Sequence, residues 1–417
     1  MHHPTTSRTA TRSVIRSNAS LSALAILLLM TPIAVDAQGF DIKLERESLA
    51  KPMDWLYSAL FVPHRDEVVV TNPKTDSIFA IGRNGERLWQ ETSPGLPSSL
   101  STAPPIAAAA GKRYLEVLEL GRVQWIDEQF RPDGAPENLA LTKSSNALVP
   151  RTFFNSSVTD SGWIIGYGSV QYADSSVPLY GFIAQSVKAL GAREDAVHLV
   201  HPLTASELFY RLSDSYVAAV GSDFFFVALE RTPRLYRVAL NTGQGQLRAE
   251  RLPGLPYERA LITPSFRESN YGYEPLALYK ALESFSGIPV GLESQAGKLF
   301  VLYRPTAGAT ADEESAWELV ALQPKTDRVE VAGRFCITSD AEHLTMVPGP
   351  EHWILFERGT VYQPDPGNPR VSQDISSFLR LDTQELQATY SRDEIPTSCG
   401  LAGASSPAPG SRLAEQQ

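Results

Sequence analysis

The sequence predicts an all-β fold assembled from six consecutive copies of one sheet unit, and three observations carry that prediction. Short runs rich in Val, Ile, Phe, Tyr and Trp recur along the chain; Gly, Asn, Asp and Pro punctuate them; and no Ser/Gly-rich linker divides the interior. Runs of this length and composition bounded by turn residues are strand signals rather than helix signals.

The central run of the first copy is "EVVVTN" (Glu67–Asn72). Comparable runs are "YLEVLEL" from Tyr114, "WIIGYG" from Trp163, "FFFVALE" from Phe224, "KLFVLY" from Lys298 and "HWILFE" from His352. A weaker, small-residue run precedes each one, such as "SALFVPHRD", "IAAAAGK" or "YVAAVGSD", and a third run follows, such as "SIFAIGRNGERLWQ". Asn84-Gly85 and Asn241–Gly243 supply the positive φ angles of tight hairpin turns. Three or four antiparallel strands per copy, repeated at roughly 50 to 75 residues, is the period of propeller blades with variable loops. The expected fold is a six-bladed β-propeller. In it the first run of each copy forms the innermost strand, where converging strands leave little room for large side chains; "APPIAAAAGK" is the clearest case.

The cadence of strand, Asp/Asn turn, strand, Asn-Gly turn, strand resembles that of the six-bladed β-propeller superfamily, which holds the NHL-repeat, TolB-like and gluconolactonase-like propellers. The resemblance runs from about Phe40 to Arg392 and singles out no one family. It implies two functions besides simple ligand binding. The calcium-dependent lactonases of the group gather Glu, Asn and Asp ligands from different blades at the channel mouth, a pattern with no local spacing. TolB-like propellers dock partner proteins.

The two ends have their own signals. Arg12 and Arg16 precede the apolar "LSALAILLLM" and the small residues Val35 and Ala37, which reads as a secretory signal peptide over residues 1–37. Its apolar part is about half the ~20 residues of a membrane-spanning helix. The propeller is expected over 38–398 and a disordered tail over 399–417. Export, to a periplasm or the cell exterior, makes a disulfide the natural state of the two cysteines, Cys336 and Cys399. A net charge of −10 with scattered basic residues argues against nucleic acid as partner. No later segment is apolar enough to span a membrane, and a monomer is expected.

One segment breaks the rhythm. Ile262–Gly287 is long, and "EPLALYKALESF" within it reads as a short amphipathic helix starting at a proline, a helix-bearing insertion over the ring.

Local catalytic motifs are missing: "GYGSVQ" fits neither a nucleophile elbow nor a dinucleotide loop, and there is no phosphate-binding P-loop. His198 and His201 form H-x-x-H, but strand positions three apart point to opposite faces, which defeats chelation. "DEES" at Asp312–Ser315 reads as a solvated turn. The segments entering the innermost strands meet at the channel mouth, and they carry Trp55, Arg151, Asn155, Arg211, Asp214 and His343. Arg151 and Arg211 hold similar places in consecutive copies and could converge on one anion, since the planar guanidinium fork suits carboxylate or phosphate. The expected function is therefore an exported module binding a small anionic ligand or a partner protein, without catalysis or a resident cofactor. The alternatives are a calcium-dependent lactonase- or arylesterase-type hydrolase, and an envelope assembly protein docking through 262–287.

Overall fold

A computed structural model describes residues 40–41, 44–56, 58–72, 75, 77–92, 97–102, 114–118, 122–135, 137–138, 148–186, 197–203, 216–228, 232–240, 247–258, 287–304, 315–363 and 370–383. The chain opens with β1 (Phe40–Asp41) and β2 (Leu44–Met53). The first sheet follows as β3 (Ser58–Val62), β4 (Glu67–Asn72), β5 (Ser77–Ile81) and β6 (Arg87–Thr92). The second is β7 (Pro97–Thr102), β8 (Tyr114–Leu118), β9 (Arg122–Ile126) and β10 (Glu137–Asn138). The third is β11 (Leu148–Val158), β12 (Trp163–Tyr172), β13 (Leu179–Ser186) and β14 (Val197–Pro202). The fourth is β15 (Tyr216–Val220), β16 (Asp223–Ala228), β17 (Arg234–Ala239) and β18 (Glu250–Leu252). The fifth is β19 (Ile288–Gln295), β20 (Lys298–Arg304), β21 (Ser315–Pro324) and β22 (Val329–Ser339), and the last is β23 (His343–Val347), β24 (His352–Gln363) and β25 (Arg370–Asp382).

Consecutive strands pair antiparallel within every sheet. The first strands touch in sequence, β3 with β7, β7 with β11, β11 with β15, β15 with β19 and β19 with β23, and β23 returns to β3. This closed cycle of radially stacked sheets is a β-propeller. The six central runs of the sequence are the second strands β4, β8, β12, β16, β20 and β24.

Their near-continuous apolar character has a packing cause. Successive strand side chains point to opposite faces, and here each face meets a different neighbouring sheet. In β20, Leu299, Val301 and Tyr303 pack toward the fourth sheet, while Phe300 and Leu302 pack toward the last. In β16, Phe225 and Val227 face the fifth sheet and Phe224, Phe226 and Ala228 face the third. In β4, Val68 and Val70 pack toward the last sheet and Val69 toward the second. Each junction thus has its own apolar cluster, and no sheet keeps a solvated face.

A buried carboxylate at the junction of the fourth and fifth sheets is matched. Glu318, fully buried on β21, accepts from the Tyr257 hydroxyl at 2.7 Å and from the Arg334 guanidinium. Burial and this carboxylate push the Tyr257 phenol well above its ordinary value.

The N-terminus supplies what the repeat pattern did not reveal. β2 is the fourth strand of the last sheet, paired antiparallel with β25 from Leu44↔Leu381 to Ser48↔Ser377. β1 lies parallel to β22, giving the fifth sheet a fifth strand. Residues from the start of the described chain therefore complete the sheet formed at its end. Two contacts fasten the last sheet to the first sheet's third turn: from β2, Ala50 N–H donates to Gly85 O at 3.0 Å, and from β25 the Arg380 guanidinium donates to Arg83 O.

Four expectations are corrected or displaced. The innermost strand of the second sheet is Pro97–Thr102, ahead of the Ala-rich run, which lies outside the described residues. In the Asn84-Gly85 turn only Gly85 has positive φ, at 78°; a register shift between Ala80 and Ile81 absorbs the extra residue, so a bulge replaces the two-residue turn. His198 and His201 sit opposite Ala184 and Phe182, because a register shift beside Phe182 inserts a residue between them. The bulge returns both imidazoles to one face, against Trp163 and Tyr236 respectively, with ring centroids 5.7 and 4.4 Å apart. The signal segment, the 262–287 insertion apart from Gly287, "DEES" up to Glu314, Asn241–Gly243 and the C-terminal tail with Cys399 lie outside the described residues. Cys336, on β22, is not a free thiol.

A Cβ at Gly85 would come within 2.4 Å of Ser48 O, backbone that belongs to the closing strand. Gly134 has φ 92° and nothing within 4 Å of such a Cβ. Gly134→Ala is expected to cost about 1 kcal/mol from the left-handed backbone alone. Gly85→Ala is expected to cost at least about 1 kcal/mol more, because β2 must shift; urea melts of the two variants measure the difference.

Candidate functional site at the channel mouth

Each first strand hydrogen-bonds to one neighbour only. Its other edge, with its backbone N–H and C=O groups, turns toward the ring's axis. The strands enter at one end of the channel and reach their first hairpin at the other, so the entry residues define a mouth.

At that mouth His343 is the first residue of β23, directly paired with Arg358 on β24. Arg304 ends β20, opposite Ile288, the entry residue of β19. Desolvation, then the charges of Arg358 and Arg304, push the His343 imidazole down to about 3. It is therefore neutral at physiological pH, and the two charges acting on it are both positive. The nearby carboxylate of Glu357 is bound elsewhere: it accepts from Ser339 Oγ and Ser377 Oγ, each at 2.7 Å, and from Arg46 Nη2 at 2.7 Å. Arg46 also holds Asp340 at 2.8 Å. Because Arg46 lies on β2, ring closure and the order of the mouth share one ion-pair network.

The other sequence-derived candidates divide. Trp55 sits half-buried on the link from β2 to β3, at the mouth end, beside Asp54, which accepts from Asn72 Nδ2 at 3.2 Å. Arg151 and Asn155 lie in β11, each inside a register shift; their side chains are outside the described residues, as are Arg211 and Asp214 altogether. The structure thus brings His343 together with two arginines that sequence reasoning missed. Arg304 and Arg358 close apolar runs whose rhythm marked them as strand ends, and only the closed ring sets them around one histidine.

Along the innermost strand β19, Glu293 is a third missed residue. It pairs with Phe300, two residues before the last ladder pair of its hairpin. Leu60, Ala218 and Thr345 hold the same register position in the first, fourth and last sheets, and none is charged. Glu293 has no hydrogen-bond or ion-pair partner among the described residues. Desolvation alone pushes its carboxyl up to about 8. No signal short of the closed ring could separate this glutamate from other strand carboxylates.

At the opposite end, a cleft of about 620 Å³ opens between the fourth and fifth sheets. Its wall carries Asp223, Arg237, Lys325, Asp327, Arg328 and Glu330. These pair with each other, Arg237 Nε with Asp223 at 2.8 Å and Arg328 Nε with Glu330 at 2.9 Å. The charges of this cleft are paired within it.

The two ionisable groups tilt stability in opposite directions. His343 has a folded pKa of about 3 against an ordinary 6.5, so the unfolded chain binds more protons between those values and stability falls as pH drops through that window. Glu293 has a folded pKa of about 8 against 4.5, so its contribution is present at low pH and is lost as pH rises toward 8. Glu293→Gln is expected to flatten the loss of stability from about pH 5 to 8, and His343→Gln the loss on acidification below 6.5, in urea melts at stepped pH.

No family model and no curated protein matches the sequence. Solved structures with a similar chain path include a DUF4221 protein from Bacteroides vulgatus, with a TM-score of 0.47, 10% identity, and 82% and 97% of the two chains covered. A protein provisionally assigned as a gluconolactonase gives a TM-score of 0.46 at 11% identity over 83% and 94%. The calcium-binding protein regucalcin from Agrobacterium tumefaciens gives 0.44 at 12% over 82% and 96%. At these scores the likeness carries no argument about function, and the propeller rests on its own sheets. No helix among the described residues is long and apolar enough to cross a membrane.

Proposed function

We propose that this chain is an exported, monomeric binding module that holds an anionic ligand, a carboxylate or phosphate, at the channel mouth beside its last sheet. We count its ring as six-bladed, and we propose that Cys336 pairs with Cys399 to tie the C-terminal segment to the fifth sheet. The observation that carries the binding reading is the pairing of His343 with Arg358 in the field of Arg304. A neutral imidazole between guanidiniums adds a hydrogen bond to their charge, and guanidiniums grip anions through charge-assisted contacts. A histidine held neutral down to about pH 3 is also a poor proton shuttle near neutrality, which supports binding over acid–base catalysis at this point.

The calcium-dependent hydrolase is the second reading, and Glu293 is what favours it. Calcium takes six to eight oxygen ligands, usually several carboxylates. Among the described residues the channel offers this single carboxylate, and no group of three or more His, Cys, Asp or Glu forms there. The described residues therefore do not make a calcium shell, and no catalytic step is derived through one.

Inorganic phosphate titrated into the protein by calorimetry at low salt tests the first reading. Arg358→Gln is expected to weaken binding about tenfold or more, as for loss of a charge-assisted contact of about 1.5–3 kcal/mol. Unchanged affinity in that variant would contradict it. A thermal melt with calcium added and then chelated tests the second: a rise of several degrees reversed by chelator would move the assignment to the hydrolase.

A further inference from the structure

We infer that the inner edge of β24 from Gly359 to Gln363 docks an extended, uncharged segment of another protein, which joins the last sheet as a further strand above the channel mouth. The inference stands apart from the anion reading and needs none of its residues.

Its basis is a mismatch of strand lengths. In each of the other sheets the first strand reaches to within one residue of the second strand's end, as Leu148↔Tyr172 and Ile288↔Arg304 show. In the last sheet β23 begins at His343, opposite Arg358, yet β24 runs on to Gln363. From Gly359↔Asp374 to Gln363↔Arg370 it pairs with β25 alone, and β2 stops short as well, at Met53↔Ile375. Among the described residues a two-stranded ribbon therefore rises past the first strands at the mouth end. A Cβ on Gly359, at the ribbon's base, would meet only its own cross-strand partner, Asp374 O at 3.8 Å.

The chemistry of the occupant follows from what this edge presents. Successive strand residues turn their N–H and C=O groups to opposite edges, so the inner edge offers main-chain donors and acceptors in a row. A two-stranded ribbon is marginal in water by itself and gains from a third strand. Edges that stay unpaired are commonly guarded by lysine, other charges or proline. The edge sequence "GTVYQ" has none of these, and Thr360, Val361 and Tyr362 are strand formers; the outer edge of the ribbon, by contrast, has Arg370 and Asp374 at its ends. Such an edge recognises an extended backbone, and its five residues span ~17 Å at ~3.4 Å each. Because it continues the line of β23, it is turned toward the ring's axis. A single strand fits there as a first strand would, whereas a second copy would have to insert a whole ribbon with its own β25 behind it.

The test uses the purified chain and a capped, fluorescein-labelled pentapeptide of alternating threonine and valine. Saturable binding is expected by anisotropy, with slowed hydrogen exchange at the open-edge amides of Gly359–Gln363. N-methylation of every second peptide amide is expected to weaken binding at least tenfold in one phase and to spare it in the other, because only one edge of the peptide faces β24. Thr360→Pro and Val361→Pro remove N–H groups that point to opposite edges. Both are expected to lose binding, and one of them to keep the exchange protection of Arg370–Asp374, which separates loss of the site from loss of the ribbon. No binding, binding that survives both prolines, or equal effects of the two methylation phases overturns the inference. Protection of every amide from Gly359 to Gln363 in the free, dilute chain means that the chain covers its own edge. Protection that appears only on concentration, with sedimentation as a dimer, gives the edge to a second copy, and either result also overturns the inference.

Discussion

Every sheet in this protein has two apolar faces, and neither can be buried by the sheet itself. That constraint forces radial stacking, and stacking is satisfied only if the last sheet meets the first. The closing element is β2, hydrogen-bonded to β25 and held against the Asn84-Gly85 turn through Ala50. Sequence-distant residues at the two ends of the described chain are thereby made neighbours, and the loss of β2 would expose the edge of the last sheet and open the junction with the first.

Closure also creates the electrostatics. Once first strands converge, their unpaired edges and a few side chains share a narrow channel with limited water. In that setting burial holds the His343 imidazole well below its ordinary pKa and pushes the Glu293 carboxyl above its own. Arg46 connects the two themes: it sits on the closing strand and neutralises Glu357, the carboxylate cross-strand from Leu344 beside the histidine.

Much of the fold was legible in the sequence because the packing rule is local. A second strand such as "FFFVALE" must be apolar at nearly every position when both faces are covered, and that pattern survives without knowledge of the neighbours. The N-terminal strand was not legible, since "LERESLAKPM" has exposed polar residues on its outer edge and looks like no copy of the repeat. The H-x-x-H pair was misread for a related reason: period-two alternation fails at a bulge, and nothing in "AVHLVHPL" announces one. Of the candidate site, His343 and Trp55 were placed at the mouth by the rule that strand entries converge. Arg304, Arg358 and Glu293 were not, because their significance depends on which sheets become neighbours around the ring.

The claim on which the electrostatic account turns is that the Glu293 carboxyl is desolvated with no charged partner among the described residues. The direct measurement is a pH titration of Glu293 by carbon NMR in glutamate-labelled protein, with Glu293→Gln supplying the assignment. The account expects a midpoint near 8, well above the ordinary 4.5. A midpoint near 4.5 would mean that the carboxylate is already solvated or paired, and the electrostatic account would be wrong.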